Sequence, residues 1–250
     1  VIGMNLKQVT FTGADNETKP EELYALSEKY PKIEWGILWY PKKMGTSRYP
    51  SEKWICNFVD EKPDYVKSAL HVCGNDALGF AYHLLNDTLL GDLMVQVDRV
   101  QLNFSVTTRE QVLNLLTPER YNFLYAVRRY GAYYPEKYVI IQAKPQNHRL
   151  VTLIDEEPFI EFLFDESGGK GKEISHIHQP LSKESNGYAG GLNPKNVIAK
   201  LKAIEEVVSG GDVWIDMETG VRTEEKFDLS KVESVMSQVS DIYGMGGMKL

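Results

Sequence analysis

Phe159-Ile-Glu-Phe-Leu-Phe164 runs into Asp165-Glu-Ser-Gly-Gly-Lys-Gly-Lys172. Gly187-Tyr-Ala189 runs into Gly190-Gly-Leu-Asn-Pro194, and Val213-Trp-Ile215 into Asp216-Met-Glu-Thr-Gly220. Three times, then, a short apolar run ends in a glycine-rich turn. The spacing is roughly 25 residues, close to one strand-helix unit. Glycine after a strand lets backbone N–H groups approach an anion, and a following helix start adds a positive dipole end. Several such turns at one end of a parallel barrel build a cradle for phosphate.

Working back toward the N-terminus, further short runs rich in β-branched and aromatic residues read as strands. They are Val9 to Thr12, Ile33 to Tyr40, Ala69 to Cys73, Val95 to Leu102 and Tyr138 to Ala143. Near-continuous apolar character suits parallel strands covered on both faces. Helical patterns fall between them. Thr18-Lys-Pro-Glu21 reads as a capping box with proline in the first turn. Asp76 to Asn86 puts Leu78, Ala81, Leu84 and Leu85 on one face, and Pro118 to Arg129 reads as another helix. Asn193-Pro194 reads as a cap followed by Val197, Leu201, Ile204 and Val208, and Leu229 to Tyr243 closes the series. Asn103 to Glu136 is long for one helix and predicts an insertion, whereas Gln146 to Pro158 carries only a weak helical pattern.

About eight strands alternating with helices predict a closed (β/α)8 barrel, a TIM barrel, as one domain over residues 1–250. The alternative is an open doubly wound sheet. No Gly-x-Gly-x-x-Gly follows the first strand, which counts against it.

The chain has 250 residues and a formal net charge of −7, an acidic balance that argues against nucleic acid or an anionic membrane as partner. Cys56 and Cys73 are its two cysteines, and neither lies in a Cys-x-x-Cys pattern. The expectation is reduced thiols in a cytoplasmic protein, without the zinc or redox motifs that paired cysteines make. No stretch has the roughly 20 apolar residues of a membrane span. Val1-Ile-Gly-Met4 has neither the basic region nor the apolar core of a signal peptide, and Met4 reads as the native start.

The order of motifs resembles the phosphoribosylanthranilate isomerase family. Phe162-Leu-Phe-Asp165 with Gly168-Gly-Lys-Gly-Lys172 resembles that family's Leu-Leu-Leu-Asp and Gly-Gly-Thr-Gly-Lys elements. Ala189-Gly-Gly-Leu-Asn-Pro-Lys-Asn196 is similar to its Ala-Gly-Gly-Leu-Asn-Pro-Glu-Asn, and Asp216-Met-Glu-Thr-Gly-Val221 to its Asp-Val-Ser-Ser-Gly-Val. Looser matches are Thr46-Ser-Arg-Tyr-Pro50 and Val100-Gln-Leu-Asn103. The departure is at the first strand. The family carries Lys-Ile-Cys-Gly, and this chain has Thr10-Phe-Thr-Gly13, so Thr12 stands where the catalytic cysteine would be.

The resemblance implies an Amadori rearrangement of a phosphoribosylated aryl amine that needs no metal and no organic cofactor. A general acid protonates the furanose oxygen, the ring opens to an iminium, and a general base removes the proton on the adjacent carbon. Asp165 matches the acid, the other reading being a cap for the Ser167-Gly168 turn. Thr12 holds the base position, although a threonine hydroxyl has no conjugate base near neutrality without a partner. Cys73 is the thiol that could substitute for it, the other reading being a small buried residue. Gly168, Gly169, Gly171, Gly190, Gly191, Thr219 and Gly220 match the phosphate-holding turns, with Lys170 or Lys172 adding charge. Arg48 matches the arginine on the aryl side, or is a solvated loop residue. His176 and His178 are read as loop histidines rather than a metal pair.

Two functional readings follow. One is an isomerase acting on a phosphoribosyl compound. The other is a barrel that lost proton abstraction and binds or sequesters a ribose-phosphate or nucleotide-like ligand, with Trp39, Tyr40 or Tyr188 available to stack on a ring. The sequence leaves the oligomeric state open.

Overall fold

The structure, a computed structural model, describes residues 4–117, 122–165, 176–208 and 210–244. Eight parallel strands close on themselves in sequence order, with β8 paired to β1. They are β1 (Asn5–Thr12), β2 (Ile33–Trp39), β3 (Lys67–Cys73), β4 (Arg99–Asn103), β5 (Tyr138–Gln142), β6 (Ile160–Phe164), β7 (Asn186–Ala189) and β8 (Asp212–Met217). The predicted (β/α)8 barrel is therefore the fold, and the open-sheet alternative falls because β1 and β8 are hydrogen-bonded neighbours.

Helices follow the strands on the outside: α1 (Pro20–Lys29), α2 (Glu52–Glu61), α3 (Asn75–Leu78), α4 (Phe80–Leu85) and α5 (Leu89–Gln96), then α6 (Arg109–Leu116), α7 (Phe123–Tyr133), α8 (His148–Ile154), α9 (Val197–Val207) and α10 (Leu229–Tyr243). Several differ from the sequence reading. The residues Val95 and Gln96 end α5 rather than starting a strand, and β4 begins at Arg99. The helix expected over 76–86 is broken at Gly79 into α3 and α4. Thr18 does not cap α1; its hydroxyl accepts from the Asp15 N–H at 3.3 Å, closing a local turn ahead of the helix. Asn193 likewise lies in a turn that joins it to Asn196, the residue preceding α9. The insertion after β4 holds α6 and α7.

The main apolar core lies between sheet and helices. Val9, Phe11, Ile33, Trp35, Leu70, Val72, Val100, Ile141, Phe162, Tyr188 and Ile215 belong to it, together with Leu23, Phe58, Met94, Tyr130, Leu201 and Val235 of the helices. A fully buried Trp35 or Phe11 is worth about 1.5–3 kcal/mol in area removed from water. The opposite strand face is different. Gln8, Thr10, Thr12, Glu34, His71, Arg99, Gln101, Gln142, Glu161, Asp165 and Asp216 are all buried. A small apolar cluster of Ile140, Leu163, Ala189 and Trp214 completes that face. Side chains alternate across a strand, so one set packs under the helices and the other fills the barrel. The expectation of strands apolar on both faces holds for the outside and fails inside, where hydrogen-bonded polar groups fill the space.

The floor of the barrel is an ion cluster. Arg99 Nε donates to Glu34 Oε2 at 2.8 Å, Nη2 to Glu34 Oε1 at 2.5 Å, and Nη1 to Glu161. The Thr10 hydroxyl donates to Glu34 Oε1 at 2.8 Å, and the guanidinium sits 4.0 Å from the Trp214 ring centroid. Each charge has a partner, as charges buried this deeply require.

Candidate functional site

At the carboxyl end of the barrel a cavity of about 220 Å³ is lined by Asp165, Ala189, Gly190, Gly191, Leu192, Asn193, Asp216, Met217, Glu218, Thr219 and Gly220. Three strand ends build it. Asp165 directly follows β6, the Gly190–Asn193 turn follows β7, and Asp216 to Gly220 ends β8. Gly191 and Thr219 thus share one pocket, as the fold predicts for turns after the last two strands. Gly168, Gly169 and Gly171, with Lys170 and Lys172, lie outside the described residues.

Two glycines shape the walls. Gly191 has φ +64°, in the left-handed region that side chains with a Cβ rarely adopt. A Cβ on Gly220 would lie 1.8 Å from the Leu192 carbonyl oxygen, so the β7 and β8 turns touch only because that position is bare. The side chains of Asn193 and Asn196 both donate to the Gly191 carbonyl, at 3.0 and 2.9 Å, and brace the turn.

Thr12 ends β1, is 1% exposed, and does not line the cavity. Its hydroxyl donates to Asp216 Oδ1 at 2.8 Å. Gly36, its register partner on β2, makes room: a Cβ there would lie 2.2 Å from Thr12 Oγ1 and 2.9 Å from the His71 ring. Asp216 belongs to the motif read from the sequence, but its role was missed. The available signal was a carboxylate at the end of a barrel strand. Burial pushes its carboxyl up to about 8, the Thr12 hydrogen bond pulls the other way, and Glu218, Asp165 and Glu34 add to the rise.

The two other groups near Thr12 with titratable side chains are weaker candidates for chemistry. Burial, and then the charge of Arg99, push His71 down to about 3, so it is neutral at physiological pH. Burial pushes the Cys73 thiol up to about 11, and Cys73 is not in the cavity lining. Cys56 and Cys73 are both free thiols.

Arg48 is half-buried beside the mouth in a left-handed conformation, φ +74°. Its Nη1 donates to Glu218 Oε1 at 2.9 Å and to the Thr219 hydroxyl at 3.5 Å, and Nη2 lies 3.6 Å from Glu225 Oε2. Asp15 fixes its backbone by accepting from the Arg48 N–H at 3.1 Å. Arg48 is therefore an anchored residue joining the loop after β2 to the turn after β8. Glu218, which the sequence reading did not single out, is its main partner. The cavity lining among the described residues carries three carboxylic groups, Asp165, Asp216 and Glu218, and no lysine or arginine.

His178 stacks on Phe164, centroids 5.0 Å apart, and its carbonyl accepts from the Tyr188 hydroxyl. Tyr188 is buried in the outer core, and Trp39 donates its indole N–H to Asp76, so neither presents a free ring to the cavity. Among the described residues no group of three or more His, Cys, Asp or Glu could hold a metal ion, and no helix is long and apolar enough to cross a membrane.

Comparison with known proteins finds similar chains. The family model described as N-(5'phosphoribosyl)anthranilate (PRA) isomerase matches residues 131–238, which hold β5 through most of α10. A multifunctional tryptophan biosynthesis protein of Schizosaccharomyces pombe is 31% identical over 96 residues, 38% of this chain. That match spans 11% of the length of the curated protein. Phosphoribosyl anthranilate isomerase from Thermotoga maritima superposes with a TM-score of 0.57 at 17% identity, covering 95% of this chain and 100% of the other. The N-(5'-phosphoribosyl)anthranilate isomerase of Pyrococcus furiosus gives a TM-score of 0.56 at 13% identity, covering 94% and 99%. The resemblance read from the motifs is thereby borne out: in sequence over the C-terminal part, and in fold over nearly the whole chain.

Proposed function

We propose that this chain, a relative of the phosphoribosylanthranilate isomerases, is an aldose-ketose isomerase acting on a phosphoribosylated aryl amine. The observation that supports this reading most is that Asp165 and the turns after β7 and β8 border one cavity at the carboxyl end of the barrel. Asp165 is the group that protonates the furanose oxygen as the ring opens. Backbone amides of Gly190, Gly191, Thr219 and Gly220 hold the phosphate. Backbone donors suit this task here, because the described lining is acidic and a side-chain cation is missing from it. Arg48 marks the aryl side, where it meets a carboxylate in competition with Glu218.

A steady-state assay with phosphoribosylanthranilate tests the reading. Wild type is expected to turn over, and Asp165→Ala to lower kcat/KM by about 10²-fold or more. Turnover no higher in wild type than in Asp165→Ala sinks it. Calorimetry with inorganic phosphate tests the cradle separately: Gly191→Asp, which places a carboxylate in the turn, is expected to abolish the heat of binding. Phosphate binding in a wild-type protein that does not turn over would leave the non-catalytic binder, the reading that the Thr12 substitution favours.

A further inference from the structure

We propose that Asp216, held by the hydroxyl of Thr12, is the base that removes the proton from sugar carbon 2; this deepens the isomerase reading above and rests on it. The chain lacks a thiol at the end of β1, so a base must come from another group facing the same cavity. Asp216 faces it, and Thr12, His71 and Cys73 do not line it. Asp165 lines the same cavity from β6, two strands away, with Ala189 of β7 between them. Two carboxyl groups are thus presented to one ligand from separate strands, as a ring-opening acid and a carbon base must be.

The hydrogen bond gives the pair its direction. Thr12 Oγ donates to Oδ1 of Asp216 at 2.8 Å. The hydroxyl spends its proton on the carboxylate and fixes the carboxyl plane, leaving Oδ2 for the substrate. Thr12 is therefore a positioning residue. The basicity also suits the task. An ordinary carboxylate near 4 is a poor carbon base, whereas burial raises Asp216 to about 8, near the range of an unperturbed cysteine thiol. Glu218 at the end of β8, Asp165 on β6 and Glu34 on β2 all add to this rise. His71 on β3 is neutral, Arg99 on β4 is bound by Glu34 and Glu161, and Arg48 is bound by Glu218. The nearby cations are thus committed to other carboxylates.

The steps balance as follows. Asp165 gives its proton to the ring oxygen, and the ring opens to the C1=N iminium. Asp216 carboxylate takes the proton from C2. The C2–H electron pair becomes the C1=C2 double bond, and the C1=N π pair returns to nitrogen, giving a neutral enolamine. Asp216 then returns its proton to C1, while the C2 hydroxyl gives its proton to Asp165 as C2=O forms. Both carboxyl groups end in their starting states.

Steady-state kinetics of three variants, with inorganic phosphate calorimetry as a check of the folded site, tests this. Wild-type kcat/KM is expected to follow a bell-shaped pH profile, because Asp165 must hold a proton while Asp216 has lost its own. Asp216→Asn keeps an acceptor for Thr12 and is expected to lose about 10²-fold or more in kcat/KM, with phosphate bound at least as tightly. Thr12→Val removes a hydrogen bond that lowers the Asp216 value, so the limb set by Asp216 moves to higher pH; Thr12→Ser returns it. Unchanged turnover in Asp216→Asn, or a pH profile that Thr12→Val leaves unmoved, overturns the assignment and leaves the isomerase reading standing. A wild type no better than Asp165→Ala removes both.

Discussion

The floor and the mouth of this barrel both bury carboxylates, and they do so on different terms. At the floor, Glu34 and Glu161 share Arg99, which also lies over the Trp214 ring. Both carboxylates there are ion-paired to the one guanidinium, which ties β2, β4 and β6 together. At the mouth, the described hydrogen bond of Asp216 is to a hydroxyl, and the charges acting on it are other carboxylates. At the floor burial raises Glu161 while Arg99 pulls it back down, whereas at the mouth burial and like charge raise Asp216 with a hydroxyl alone acting against them. The same functional group is tied to a cation below and presented to a cavity above because of what surrounds it.

The largest effect expected from breaking that contrast is at the floor. Arg99→Leu leaves Glu34 and Glu161 buried without their cation and is expected to cost about 3–5 kcal/mol, read as a fall in urea midpoint. A loss under about 1 kcal/mol would mean that the cluster is open to water. The next effect is in the wall of the cavity. Gly220→Ala drives a methyl group against the Leu192 carbonyl, a backbone atom that cannot swing away, so the turns must part. The expectation is a loss of about 1–3 kcal/mol in stability and weaker phosphate binding by calorimetry. Wild-type affinity in that variant would show that the contact between the turns does not shape the anion site.

The smallest effect is in the sign of a pH dependence. The Asp216 carboxyl is raised from its ordinary value to about 8 on folding. Between about pH 4 and 8 the folded chain therefore holds a proton that the unfolded chain has lost, and this group's contribution to stability falls as pH rises through that window. Asp216→Asn removes the penalty, so its melting temperature is expected to exceed wild type more at pH 8 than at pH 5. Thr10, Glu34 and Arg99, whose bonds are all satisfied at the floor, provide no such gain. Equal shifts at both pH values would show that Asp216 ionises in the fold as easily as in the open chain. Stabilisation at the expense of turnover is the usual mark of a catalytic group held against its preference.

Much of the barrel was legible in the chain because its strands carry local signals. Short β-branched and aromatic runs placed the end of every strand within about two residues of where it is observed. Two starts differ by four residues: β1 begins at Asn5 rather than Val9, and β4 at Arg99 rather than Val95, because Val95 and Gln96 belong to an apolar helix that ends just ahead of the strand. The helix α2 was not read at all, although Ser51 caps it by accepting from the Trp54 N–H. Its pattern of Trp54, Ile55, Phe58 and Val59 follows directly on the loop motif around Arg48, which drew the reading. The capping box at Thr18 failed because Asp15 offered that hydroxyl a nearer donor.

Around the cavity, the sequence by itself determined that Asp165 and the turns at Gly190 and Thr219 stand at strand ends, since strand-end residues and glycines are visible one element at a time. It also fixed the absence of a thiol at Thr12. Only the tertiary structure decided what Thr12 does, because its partner Asp216 is 204 positions away and meets it through closure of β8 onto β1. The inward-facing charges were likewise unreadable as a set. A barrel interior is assembled from alternate residues of many strands, so whether a buried carboxylate meets a cation or a hydroxyl depends on register across the sheet, not on its neighbours in the chain.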